Sequence, residues 1–224
     1  MMNKLILASQ SPRRRELLRL IGLPFECVAA NVDESRITYP DPKVNVVETA
    51  RLKADAIGDR FFNDSIDSGL WIIAADTTVA LDGVMLNKPI DEDDAATMLV
   101  ALKNRSHEVH TGMVLYHPVT GRTETAVSSA TVFMRNYSDT EIAAYITTGD
   151  PLDKAGAYAI QHPQFQPVSK LLGCYLGVMG LSICHLIQLM GRIGIERGGE
   201  LTAVLSAHQK YQTCPIFTQF NHLA

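Results

Sequence analysis

The 224-residue sequence has few cysteines, no long apolar run and no excess of basic residues, and each shortage removes a class of function. Cys27, Cys174, Cys184 and Cys214 are widely scattered, without the short paired spacing of a zinc site or a thioredoxin-like motif, and read as reduced thiols of a cytoplasmic protein. The apolar stretch at residues 5–8 is too short for a signal-peptide core, polar residues 9–15 follow it, and no segment is long enough to span a bilayer. No membrane association is expected. Lys and Arg number 20 against 24 Asp and Glu, for a net charge of -4. That balance argues against nucleic acid as a partner, because such affinity comes from many cations neutralising phosphates. Any phosphate ligand must be met by a local cluster. The glycines of a P-loop or dinucleotide fingerprint are missing, as is a Gly-x-Ser-x-Gly elbow, and the seven histidines show no ligand or triad spacing.

What is present is ordinary globular composition, 46% hydrophobic and 20% charged, enough for one large domain or two associated lobes. Residues 4–8 read as a short buried strand, and Ser11-Pro12 supplies an N-cap and a first-turn proline for a helix that Gly22 ends. A second strand is expected over 25–29, an exposed loop through Asp33 to Arg36, and a helix over 44–57. Residues 71–75 form a continuous apolar run, expected as a buried strand with Asp76-Thr77 at its carboxyl end. A hairpin follows over 79–81 and 84–86. A helix over 91–102, strands over 107–116 and 122–133, and a helix over 139–146 come next. The expected last elements are a strand over 175–178 and a helix over 181–190, and beyond Gly191 the pattern loosens. Strands alternating with helices, interrupted by a long hairpin, predict an α/β fold with a mixed sheet. In such sheets ligands sit beyond the carboxyl ends of strands, which points to residues 9–14 and to Asp76-Thr77.

Ser9-Gln10-Ser11-Pro12-Arg13-Arg14 joins a strand to a helix, where backbone N–H groups, hydroxyls and guanidinium groups can grip phosphate; a capped helix with solvated arginines is the alternative. Asp76 ends an apolar run, so its carboxylate needs a cation, a positioned water or a turn to cap. Asp33 and Glu34 offer hard oxygen ligands for a divalent cation, or a solvated acidic loop. Lys53 and Lys88 could neutralise charge developing on phosphate oxygens, or stand as surface lysines.

The order Leu7-Ala8-Ser9-Gln10-Ser11-Pro12-Arg13-Arg14, Glu34, Lys53, Ala75-Asp76-Thr77, Lys88-Pro89 and Asp153-Lys154-Ala155-Gly156-Ala157-Tyr158-Ala159-Ile160-Gln161 resembles the Maf family up to about Met190. The resemblance implies an elongated mixed-sheet α/β fold related to the inosine-triphosphate pyrophosphatases, with two lobes and a central cleft. It implies a domain over 1–192, leaving 193–224 as an extension of unassigned role. The implied activity is hydrolysis of a nucleoside triphosphate to its monophosphate and pyrophosphate. Asp76 would be the general base, Lys53 and Lys88 catalytic cations, and Ser9, Arg13, Arg14, Thr77 and Gln161 substrate-binding. Glu34 and Asp76 would hold a divalent cation (Mg²⁺, Mn²⁺ or Co²⁺). Arg13, Thr77 and Gln161 resemble the branch acting on dTTP and UTP; the alternatives are the 7-methyl-GTP branch and a non-catalytic nucleotide-binding regulator of cell division. His162-Pro163-Gln164-Phe165 departs from the family pattern and implies altered or broadened substrate choice. A cytoplasmic homodimer completes the expectation.

Overall fold

The computed structural model describes residues 4–62, 69–208, 211 and 213–216, so most of the segment joining the expected helix over 44–57 to the apolar run at 71–75, and the end of the tail, lie outside them. Strands β1 (Lys4–Leu7), β2 (Phe25–Cys27), β3 (Leu70–Leu81), β4 (Val84–Leu86), β5 (Ser106–Tyr116), β6 (Thr123–Met134) and β7 (Val168–Leu172) form one mixed sheet. Its order is β2-β1-β3-β5-β6-β7, with β4 added to β3. β1 runs parallel to β2 and β3, and the remaining pairings are antiparallel. Helices α1 (Pro12–Arg19), α2 (Pro42–Phe62), α3 (Glu92–Leu102), α4 (Asp139–Ile146), α5 (Tyr175–Val178), α6 (Ile183–Arg192) and α7 (Leu201–Ala207) surround it. Ser11 is the expected N-cap, its Oγ accepting from the Arg14 N–H, and Asp91, expected as the first helical residue, instead caps α3 by accepting from the Asp94 N–H.

Alternation along β3 divides the core. Trp71, Ile73, Ala75, Val79 and Leu81 join a cluster with Leu17 and Leu18 of α1, Leu99 and Leu102 of α3 and Leu186 and Leu189 of α6. Leu70, Ile72 and Ala74 face the other way, against Ala50, Ala54 and Ile57 of α2. The helix lies close to the sheet because β5 carries Gly112 under it. A Cβ at that position would come within 2.6 Å of the Val46 backbone. Any side chain there would push α2, and Lys53 with it, off the strand that bears Asp76.

Two expectations are overturned. Asp76-Thr77 does not end a strand: β3 is continuous from Leu70 to Leu81, and its last residues, 79–81, form the expected hairpin with β4. β5 pairs with it from Ile72 to Ala80, so the ladder holds the polar residues in extended backbone. Residues 175–178 are not a strand but the short helix α5, whose N–H of Gly177 donates to the Sγ of Cys174. The sheet edge is supplied instead by β7, where pairing with β6 outweighs weak local patterning.

The segment after Gly191 packs on the main body. Ile195, Val204, Tyr211, Cys214 and Ile216 are buried in the same cluster as α1 and α6, and the N–H groups of Gly198 and Gly199 both donate to the Ile21 carbonyl.

Candidate active site

The site lies at a gap in the sheet. On one edge of β3, β1 pairs only as far as Ile73 and β4 begins only at Val79, while β5 fills the opposite edge throughout. Residues 74–78 therefore present an edge without a strand partner on that side among the described residues. Chain connectivity explains the gap. After Leu7 the chain turns away through Ser9 and Ser11 into α1, with Ser9 Oγ accepting from the Ser11 N–H.

Because side chains alternate, Asp76 and Thr77, adjacent in the gap, reach opposite faces. Asp76 points to α2, where its Oδ1 lies 2.7 Å from Lys53 Nζ. The same ammonium sits 2.9 Å from Glu34 Oε2, so one buried lysine joins two carboxylates. Glu34 opens a single 3₁₀ turn, Glu34–Arg36. Asp33, expected to share ligand duty, caps that turn by accepting from the Ser35 N–H and does not line the cavity.

Thr77 faces α1. Its hydroxyl accepts from Arg14 Nη2 at 3.3 Å and lies 2.8 Å from the hydroxyl of Thr111, its register partner on β5. Thr111 donates to the Gly177 carbonyl, so its single proton is committed and Thr77 is the donor between the two hydroxyls. Arg14 Nε donates to the Gly180 carbonyl at 2.9 Å, a carbonyl turned inward by the left-handed backbone of Gly180 (φ +117). Burial pushes the Arg14 guanidinium below the ordinary arginine value, against the carboxylates of Asp76 and Glu34, which act to raise it. Every guanidinium remains charged under working conditions, so Arg14 is a fixed, partly buried cation.

These groups share one cavity of about 1220 Å³ with Ser9, Arg13, Lys88 and Gln161. All the residues singled out for substrate or metal binding, Asp33 excepted, thus meet at one place. Their engagement differs. Lys88 and Gln161 stand exposed on the wall, whereas Arg13 lies 4.0 Å from Asp153, at the limit of an ion pair. On a chain of net charge -4, Arg13, Arg14, Lys53 and Lys88 gathered here form the local cluster that an anion requires. Glu34 and Asp76 converge on one point with hard oxygens, and no third carboxylate or imidazole joins them among the described residues. That donor set fits a cation such as Mg²⁺, which takes one or two carboxylates and completes its shell with water and phosphate.

Sequence reasoning missed Lys154, Thr111 and Tyr158. Lys154 is buried in the cavity wall and pairs with Asp150 at 2.8 Å and with Asp153. Two acids at i−4 and i−1 were a signal of its burial. Thr111 had none, since its role depends on cross-strand register with Thr77. Tyr158 is held by His107, whose Nε2 lies 2.8 Å from the phenol oxygen and whose buried Nδ1 has no partner among the described residues. The departing segment braces itself: Phe165 stacks on Tyr145 at 4.3 Å and His162 meets the same ring edge-on, while the Tyr145 hydroxyl donates to Asp150 and accepts from the Ala159 N–H.

The buried His107 makes stability depend on pH. Burial lowers its pKa from the ordinary 6.5 to about 4, so the folded chain keeps it neutral where an unfolded chain would protonate it. Between those values the unfolded state binds more protons, and stability is lost as pH falls through that window. At ~1.36 kcal/mol per unit the contribution is roughly 3 kcal/mol. Urea unfolding at neutral pH and at the acid end of the window is expected to show a pH-dependent loss larger by that amount in the native chain than in His107→Gln. Equal losses in the two proteins would refute the assignment.

A family model described as Maf-like protein matches residues 4–193. The curated dTTP/UTP pyrophosphatase of Geotalea uraniireducens is 40% identical over 192 residues, covering 86% of this chain and 96% of the relative. The protein of the same description from Koribacter versatilis is 43% identical over 191 residues, covering 85% and 95%. Among solved structures, a nucleoside-triphosphatase / dITP/XTP pyrophosphatase from Mycobacterium abscessus aligns at 18% identity with a TM-score of 0.39, covering 60% of this chain and 75% of that one.

Proposed function

The chain belongs to the Maf family, and from that premise we propose that it hydrolyses dTTP and UTP to the nucleoside monophosphate and pyrophosphate. The observation that carries the reading is Asp76, mid-strand in the gap of the sheet, oriented by Lys53 and flanked by Arg14 within a cavity of suitable size for a nucleotide. Water attacks the α-phosphorus, the bond to the bridging oxygen breaks toward pyrophosphate, and the water proton passes to the Asp76 carboxylate. Lys53, Lys88 and Arg14 neutralise the charge that spreads over the phosphate oxygens, which is the main catalytic demand of attack at phosphorus. Glu34 and Asp76 would hold a divalent cation, which when bound supplies further charge neutralisation at the phosphates. Ser9 and Arg13 bind phosphate oxygens at the turn into α1. Gln161 faces the base, where an amide can donate to a carbonyl and accept from the adjacent N–H of uracil or thymine.

The pairing logic supports discrimination against bases that leave the amide unsatisfied. The reading carries a homodimer acting on free nucleotides in the cytoplasm, and no described helix is long and apolar enough to cross a membrane. The test is pyrophosphate release from dTTP, UTP, 5-methyl-UTP and 7-methyl-GTP with Mg²⁺ or Mn²⁺. Release confined to the uracil and thymine nucleotides is expected. Preference for 7-methyl-GTP would move the protein to the other branch, and no release from any nucleotide would leave a binding protein.

A further inference from the structure

Behind the cavity the fold assembles a second constellation that spacing does not reveal. Cys174 precedes α5, Cys184 lies in the first turn of α6, His208 follows α7 and Cys214 lies beyond it. All four are buried, at 0–1% exposure, and none of the cysteines is in a disulfide. Their three Sγ atoms and one imidazole nitrogen lie within 4.8 Å of one another. His208 Nε2 is 3.7 Å from Cys174 Sγ and 3.6 Å from Cys184 Sγ.

We infer that this is a structural zinc site with a Cys₃His ligand set. Tetrahedral zinc with Zn–S of about 2.3 Å and Zn–N of about 2.0 Å has S···N edges of roughly 3.5 Å and S···S edges of roughly 3.8 Å. The two measured S···N separations match the first, and the 4.8 Å limit accommodates the second with small closure. The outer contacts are those a metal ligand needs. His208 Nδ1 lies 2.9 Å from the Val204 carbonyl, which can only accept, so Nδ1 carries the proton and the Nε2 lone pair faces the sulfurs. The Gly177 N–H donates to Cys174 Sγ at 3.4 Å, and the Ser182 hydroxyl lies 3.1 Å from the same sulfur. Three thiolates and one imidazole, closed from solvent and without a carboxylate, select a soft tetrahedral metal and are unlike the oxygen pair Glu34 and Asp76.

The chemistry gives the tail a role. The matched family region ends at residue 193, so Cys174 and Cys184 lie within it while His208 and Cys214 lie after it. Zinc would tie that last segment to α5 and α6. The tie lies directly behind the cavity, because α5 offers the Gly177 carbonyl to Thr111, and the turn after it offers the Gly180 carbonyl to Arg14.

The experiment measures metal in the full chain, purified under reducing conditions and dialysed against metal-free buffer. About one zinc per chain is expected, retained in Asp76→Asn, reduced to background in Cys214→Ser and His208→Ala, and retained in His208→Cys, which replaces one ligand by another. Replacement by Co²⁺ is expected to give the intense visible bands of tetrahedral cobalt together with thiolate charge-transfer absorption. These readouts need no turnover, and the unmodified chain alone suffices should a variant fail to fold. A native chain that retains no zinc after incubation with it, a cobalt spectrum without thiolate absorption, full zinc retention in Cys214→Ser, or two of these thiols recovered as a disulfide would each overturn the inference.

Discussion

Replacing Asp76 by Asn is expected to lower kcat for pyrophosphate release by about 10³-fold, within the ~10²–10⁴-fold range for loss of a general base. The amide has the shape of the carboxylate but cannot take the proton of the attacking water. Its oxygen can still accept from Lys53 Nζ, now 2.7 Å from Asp76 Oδ1, so the local geometry should persist. KM for the nucleotide is therefore expected to move much less than kcat, and the far-ultraviolet circular dichroism to stay unchanged. Steady-state kinetics on dTTP with both proteins make the comparison. Turnover within a few fold of the native chain would remove Asp76 as the base.

Lys53→Met is expected to cost about 10²-fold in kcat/KM, the scale for losing one group that stabilises developing charge. Methionine preserves much of the aliphatic stem within α2 but removes the cation that joins Asp76 to Glu34. Without it the Asp76 carboxylate loses the group that orients it, and the phosphate oxygens lose one neutralising charge. Stability should fall by roughly 2 kcal/mol, less than the ~3–5 kcal/mol of a fully buried pair, because Glu34 is half exposed. Steady-state kinetics beside far-ultraviolet circular dichroism make the comparison: an unchanged spectrum with the lowered kcat/KM is expected, and kcat/KM within a few fold of the native chain would remove Lys53 from the catalytic role.

Local chemistry determined much of this protein. The strand, cap and proline around Ser9 to Arg14 announce themselves because strand burial, an N-cap and a first-turn proline are short-range effects. The helices over α2, α3 and α4 follow from periodicity and caps in the same way. Asp76, Lys53 and Glu34 could be nominated because a carboxylate ending an apolar run, a lysine on a helix and an acidic loop each have a limited set of partners. That they share one point did not follow from their spacing, since Glu34 and Asp76 are brought to Lys53 from different elements.

What pairing and packing decided is of a different kind. Asp76-Thr77 reads as the end of a strand, yet cross-strand hydrogen bonds to β5 carry β3 through it, and only the early end of β1 and late start of β4 open the gap in which both residues work. Thr111 reaches Thr77 through register, and residues 175–178 become helical rather than extended because β7 already supplies the strand beside β6. The meeting of Cys174, Cys184, His208 and Cys214 depends on the last segment packing back against α5 and α6. A window of sequence carries caps, periods and turn residues, because those energies arise between near neighbours. Which distant segments meet is set by the burial of whole faces, and that energy is resolved only when the chain has closed on itself.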